Sequence, residues 1–236
     1  MPGYPDEFTE GLAALGRLGV DVEALDERLG RIATLACAAI SPSDHAGVTL
    51  VRNGRAVTRG HTDDIVPAID DAQYETGKGP CLDAYRHGGV NRIEFTSEDT
   101  RWPEFSRAAA AAGVRSTLSL PMRVGDEQVG ALNLYSSTPD RFSETHQRLG
   151  LMFAEQAAVA IANTEMFLRV RVMSSQLEEA LKSRDVIGQA KGILMATRKI
   201  TDDAAFECLR AASQHRNVKL RDIADEVART GALSDE

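Results

Sequence analysis

The sequence predicts an α+β fold, an antiparallel sheet with flanking helices, followed by a long connecting helix and a C-terminal three-helix module. Three observations predict it. Two strand–turn–strand patterns occur in the N-terminal part, with helical patterns before and between them. The last proline is Pro139, and no glycine occurs between Gly150 and Gly188, so nothing interrupts a helix there. Near the C-terminus, Leu220, Ile223, Ala224, Val227 and Ala228 fall at the spacing of one amphipathic helix face.

Taken in order, residues 22–39 form the first helix. Residues 46–52 and 56–60 alternate apolar and polar around Asn53-Gly54, the dipeptide most typical of a two-residue hairpin turn. Residues 80–87 read as a helix with Pro80 at its first position, where a missing N–H costs nothing. A short strand near 90–95 and an Ala-rich helix over 102–112 follow. Residues 116–124 and 128–135 make a second hairpin turning at Gly125-Asp126. From about 145 to 197 the chain is rich in Ala, Leu, Met, Glu, Gln and Arg, all good helix formers. Phe167, Val170, Ser174, Leu177, Leu181, Arg184 and Gly188 recur at alternating spacings of three and four, which suits a short coiled-coil contact. Two helices hinged near Ser174-Ser175 are the alternative. Thr201 then serves as N-cap of a helix whose first turn holds Asp202 and Asp203, where the helix dipole favours acid. The last helix begins near Lys219. With Ile187, Ala190 and Leu194 from the long helix, these elements form a module of roughly 55 residues, small enough that its attachment or a dimer partner matters to stability.

The 236 residues are 43% hydrophobic and 26% charged, with a net charge of −8. An acidic surface repels nucleic acid and anionic membranes alike, but the charge is unevenly spread. Residues 1–173 hold 17 Lys and Arg against 24 Asp and Glu, whereas residues 174–230 hold 10 against 9. Local basic faces are therefore expected in the C-terminal part. Three widely spaced cysteines, Cys37, Cys81 and Cys208, form no CxxC pair or Cys/His cluster, so a metal site and a disulfide framework are not indicated. The N-terminus lacks a basic stretch followed by an apolar run, and no apolar stretch reaches membrane-spanning length. A cytoplasmic location without a membrane partner is expected.

Gly77-Lys-Gly-Pro-Cys81 departs from a phosphate loop, because Gly follows the Lys and no strand leads into it. A turn opening a helix explains the same residues. Cys81 reads as a small buried residue beside a pocket, or as a redox-sensing thiol near a helix start. The five histidines are scattered, and no catalytic constellation can be assembled; His146 reads as an exposed first-turn residue. Gly188 and Gly192 lie one turn apart within a helix, each costing about 1 kcal/mol relative to Ala. Arg184, Gly188, Lys191, Met195 and Arg198 share one face beside the apolar stripe. Such a face either contacts phosphates and splayed bases or packs a neighbouring helix through the glycines.

The segment from Ser183-Arg-Asp-Val-Ile-Gly-Gln-Ala-Lys-Gly-Ile-Leu-Met195, with Asp203-Ala-Ala-Phe206, Leu209-Arg210, Ser213 and Asn217-Val-Lys-Leu-Arg-Asp-Ile-Ala224, resembles the ANTAR domain of transcription antitermination regulators. Residues 22–168 resemble the GAF sensor domain, through Gln73-Tyr-Glu-Thr-Gly-Lys-Gly-Pro-Cys-Leu-Asp-Ala84, Arg101-Trp-Pro103, Arg115-Ser116 and Leu132-Asn-Leu-Tyr135. These resemblances imply an N-terminal extension over 1–21, a sensor domain over 22–168, an RNA-binding domain over 169–230 and a tail over 231–236. They imply an antiterminator, not an enzyme, that binds stem-loops in nascent transcripts and works as a homodimer. Arg184, Lys191, Gly192, Ser213, Asn217, Lys219 and Arg221 are the RNA-contact candidates, the cations for phosphates and Ser213 and Asn217 for base edges or helix ends. Tyr74, Cys81 and Tyr135 are the pocket candidates for an unidentified small molecule. No arrangement resembles a cyclic-nucleotide signature or bilin attachment, so the cofactor is unknown. Two other readings stand beside this one: a small-molecule or redox enzyme using Cys81, and a scaffold whose C-terminal helices bind another protein.

Overall fold

A computed structural model describes residues 4–18 and 25–233. Val22, the expected start of the first helix, lies outside the described residues. The chain divides into two units, residues 1–167 and 168–236. In the first, α1 (Asp6–Gly16) and α2 (Leu25–Ala39) precede the hairpin β1 (His45–Arg52) and β2 (Arg55–His61). Then come α3 (Ile65–Thr76), α4 (Pro80–His87), β3 (Asn91–Ile93), α5 (Pro103–Ala111), and the hairpin β4 (Ser116–Val124) and β5 (Glu127–Ser136). The 55-residue α6 (Glu144–Arg198) runs without a break, so no hinge opens at Ser174-Ser175. In the second unit its C-terminal part joins α7 (Asp202–Arg216) and α8 (Leu220–Thr230). No described helix is long and apolar enough to cross a membrane.

The five strands form one antiparallel sheet in the order β2-β1-β5-β4-β3. Asn53 and Gly54 take φ values of 52° and 76°, the left-handed pair that lets a two-residue turn match the strand twist. The two faces of the sheet differ in chemistry. Val48, Leu50, Leu118, Leu120, Leu132 and Leu134 point to one side and pack with Leu29 and Ile32 of α2 and Phe153 and Ile161 of α6. Alternate residues Thr49, Thr117, Ser119, Asn133 and Tyr135 point to the other and are just as buried. Helices α3, α4 and α5 cover that second face, through Val66, Ile69, Cys81, Ala84 and Phe105.

Two elements escape the sequence pattern. Helix α1 falls in the stretch expected only as an extension, and it buries Phe8 and Leu15 against the sensor core. Helix α3 had no counterpart at all. The remaining elements match their expected positions to within a few residues.

The second unit is held by Ala190, Leu194, Ala205, Leu209, Ile223, Ala224 and Val227. Thr201 caps α7 as expected, its hydroxyl accepting from the Ala204 N–H at 3.3 Å. Between the two cores, every residue of α6 from 169 to 182 is exposed. An isolated helix of such length is marginal in water. In hydrogen–deuterium exchange, amides of 169–182 in a monomer should exchange about ten-fold or more ahead of those of 149–161 and 187–194. Protection equal to that of the flanks would show that a partner covers the segment.

Candidate functional site

The polar face of the sheet is organised around Asp70 of α3, which is wholly buried. Its Oδ1 accepts from the Tyr135 hydroxyl at 2.6 Å and from Gln73 Nε2 at 2.7 Å. Its Oδ2 accepts from the Thr58 hydroxyl at 2.6 Å. Thr58 also meets the Tyr74 hydroxyl at 2.6 Å, and Tyr74 reaches Thr49 at 2.9 Å. Asn133 Nδ2 donates to the same Thr49 oxygen at 3.1 Å. Gln73 Oε1 accepts from the Cys81 N–H at 3.1 Å. The three pocket candidates, Tyr74, Cys81 and Tyr135, therefore meet in one network, although its centre was not among them.

Burial dominates the electrostatics here. Removal from water pushes the Asp70 carboxyl up to about 6, against the opposing pull of Thr58, Tyr135 and Gln73. Burial, reinforced by Asp70, pushes the Cys81 thiol up to about 12. The same causes raise both Tyr74 and Tyr135. At neutral pH this is a layer of one carboxylate and neutral donors. Asn133 Oδ1, Thr117 Oγ1 and Ser106 Oγ are buried without a hydrogen-bond partner. Buried polar atoms of this kind are costly unless they are answered, which makes the layer the candidate site of this unit.

Only Tyr74 of the three also lines open space. A cleft of about 660 Å³ lies beside it, bounded by Arg55, Asp71, Glu75, Leu82 and Arg86. Tyr74 thus touches solvent-filled space on one side and the buried layer on the other. Cys81 is sealed, so the redox-sensing reading of an accessible low-pKa thiol is corrected. Pro80 opens α4 and Gly77, at φ 67°, closes α3, which confirms the turn reading of that motif. His146 is corrected from exposed to half-buried: its Nδ1 accepts from the Ser143 N–H at 3.1 Å, and burial lowers its pKa. Among the described residues, no group of three or more His, Cys, Asp or Glu could hold a metal ion.

In the second unit the RNA-contact candidates divide by what they already hold. Arg184 and Lys219 are exposed. Lys191 binds Asp202 at 2.6 Å, and Arg221 binds Glu179 of α6 at 2.5 Å. Ser213 donates to the Val218 carbonyl at 2.6 Å, and Asn217, at φ 51°, ends α7 in the left-handed conformation. Both positions therefore shape the α7–α8 turn. Gly188 and Gly192 are exposed, and a Cβ at either would meet nothing within 4 Å. Among the described residues, no helix closes on the gap they leave.

Comparison with known proteins gives the same division. A GAF domain model matches residues 22–162, and an ANTAR domain model matches residues 175–227. Protein YtsP of Bacillus subtilis (strain 168) is 35% identical over 86 residues, 36% of this chain and 50% of YtsP. The chain thus spans about half the length of that relative. The free methionine-R-sulfoxide reductase of Neisseria meningitidis superimposes with a TM-score of 0.54 at 16% identity, covering 69% of this chain and 90% of the reductase. The GAF domain of an Acinetobacter phosphoenolpyruvate-protein phosphotransferase gives 0.51 at 13% identity, over 68% and 93% respectively. At such identities the likeness is one of fold alone. The GAF match alone spans more than half of the sequence, so the chain belongs to the GAF domain family and carries an ANTAR domain behind its sensor.

Proposed function

We propose that this protein is an RNA-binding transcription antiterminator, in which the GAF domain senses a small molecule and the ANTAR domain binds stem-loops in nascent transcripts. The observation that carries the reading is the ANTAR match, over a stretch whose cations line the surface of a complete three-helix core. Stem phosphates call for Lys and Arg, and unpaired loop bases call for polar and stacking partners. Arg184, Lys191, Lys219 and Arg221 hold phosphates in this reading. Ser213 and Asn217 set the turn that presents Lys219, and Gly188 and Gly192 leave room for a backbone to approach. Work on nascent transcripts places the protein in the cytoplasm.

Dimerisation supplies avidity that one small module lacks. Its support is a row of exposed apolar side chains on α6, among them Val170, Met173 at 70%, Leu177 at 60% and Leu181. The sensor's ligand enters at the Tyr74 cleft and acts on the polar layer through Tyr74. The reading includes no enzymatic step. Thiol chemistry fits Cys81 poorly, because the thiol is buried and its pKa is raised. Cys37 packs on the opposite face of the sheet, so it does not serve as its resolving thiol.

A mobility-shift titration of the full chain tests the assignment. Twin stem-loop RNA should bind more tightly than scrambled RNA, with log affinity falling against log salt at a slope of about −3 for four phosphate contacts. Arg184→Ala and Lys219→Ala should each reduce that slope by about 1. Equal affinity for structured and scrambled RNA at low salt would overturn the reading.

A further inference from the structure

Phe206 is the only Phe, Tyr or Trp between residues 168 and 236. The module's core closes over its neighbours Ala205 and Leu209, yet leaves the Phe206 ring 36% exposed. About a third of the residue's surface stays open to solvent, so packing leaves part of the ring free for another contact.

The surroundings of Phe206 are specific. Asp202, Phe206, Arg210 and Ser213 recur at helical spacing, which sets them on one side of α7. At one end of that side, Lys191 of α6 holds Asp202 at 2.6 Å. At the other, Ser213 bonds the Val218 carbonyl and fixes the turn that leads into Lys219. Arg210, one turn beyond Phe206, is exposed and binds Glu207 on its own helix at 2.6 Å. On α6, Met195 lies one turn from Lys191 and is exposed too. Phe206 therefore lies one helical turn from Asp202, which Lys191 holds, and one turn from Arg210.

We propose that Phe206 is a stacking platform for an unpaired base of the bound RNA. The inference rests on the RNA-binding reading and deepens it. Cations hold a backbone but cannot distinguish a stem from a loop. A ring beside them can, because only an unpaired base offers a free π-face. Phe206 thus gives the surface its preference for looped RNA, with Lys191 and Arg210 holding the flanking phosphates.

The test uses the full chain, a fluorescein-labelled twin stem-loop RNA, and the same RNA made abasic at each unpaired loop position in turn. For the wild type, one abasic position should weaken binding about ten-fold. Phe206→Leu, which keeps apolar bulk without a π-face, should lose about ten-fold on intact RNA and nothing further at that abasic position. Phe206→Trp should restore binding, and circular dichroism should show unchanged helix content in both variants. Wild-type affinity of Phe206→Leu for intact RNA would overturn the proposal. So would a change in oligomeric state by light scattering with RNA affinity intact, which would make the ring a protein contact. Failure of the wild type itself to prefer stem-loops would overturn the RNA-binding reading instead, a result separate from a loss confined to the variant.

Discussion

Asp70→Asn should abolish a pH dependence of stability that the wild type shows between about pH 4 and 6. The Asp70 carboxyl rises from 3.8 to about 6 on folding, so the folded state holds a proton that the unfolded state releases. Stability from this group is fully present below pH 3.8 and is lost as pH rises through 6. A rise of that size corresponds to about 3 kcal/mol. Asp44 works in the opposite sense: the Ser137 N–H leads the bonds that hold its pKa down, so its contribution is lost as pH falls below 3.8. The two effects occupy different windows, and subtracting the variant's urea-derived stability from that of the wild type isolates Asp70. A flat difference from pH 4 to 7 would show that the carboxyl ionises on folding as it does in water. Asn keeps the Oδ1 acceptor for Tyr135 and Gln73, and Thr58 can turn to accept from the new amide. Asp70→Ala keeps neither and leaves buried donors unanswered, a loss of about 3 to 5 kcal/mol at neutral pH.

Gly60→Ala should cost about 3 kcal/mol or more, and on a lesser scale Gly30→Ala should stabilise. Strand β2 crosses α2 so closely at Gly60 that an added Cβ would lie 2.2 Å from the Leu29 carbonyl carbon and 2.6 Å from the Gly30 nitrogen. Both are backbone atoms, which cannot rotate away as a side chain can. The helix must lift from the sheet, opening the layer that buries Leu29 and Ile32. A Cβ at Gly30, by contrast, meets nothing within 4 Å and sits inside α2, where Ala gains about 0.5–1 kcal/mol over Gly. Denaturation midpoints of the two variants should therefore move in opposite directions. A Gly60→Ala midpoint equal to that of the wild type would mean that the crossing is looser than these distances.

Most elements were legible because each carried a local signal. Asn53-Gly54 fixed one hairpin, Pro80 opened α4, and the absence of breakers announced α6. Helix α3 had none of these. Its buried residues Val66, Ile69, Asp70 and Gln73 follow helical spacing, but half of them are polar and Pro67 interrupts the start. A search for an apolar stripe passes over such a helix, and it does so for the reason that makes the helix interesting: it buries a carboxylate against the sheet. Asp70, Thr49, Thr58 and Asn133 were missed with it, while Tyr74, Cys81 and Tyr135 pointed to the right layer. The polar strand face was visible in Ser116-Thr-Leu-Ser-Leu120, where alternate positions carry hydroxyls that an ordinary core would replace. In the C-terminal unit, residue type and face were readable for Lys191, whereas Arg221 came from the family resemblance. Their partners were not readable, since Asp202 and Glu179 come close only when the helices pack.

Those internal pairs alter what the module asks of a ligand. Lys191, Arg210, Arg216 and Arg221 each already grip a carboxylate of their own unit. Under the proposed RNA-binding reading, a polyanion that engages these cations displaces Asp202, Glu207, Glu226 and Glu179, so association is an exchange of anions and not a simple neutralisation. A floppy strand offering one charge at a time gains little from such a swap. A rigid array of phosphates can evict several carboxylates together, so under the same reading the internal pairs favour ordered polyanions over floppy ones.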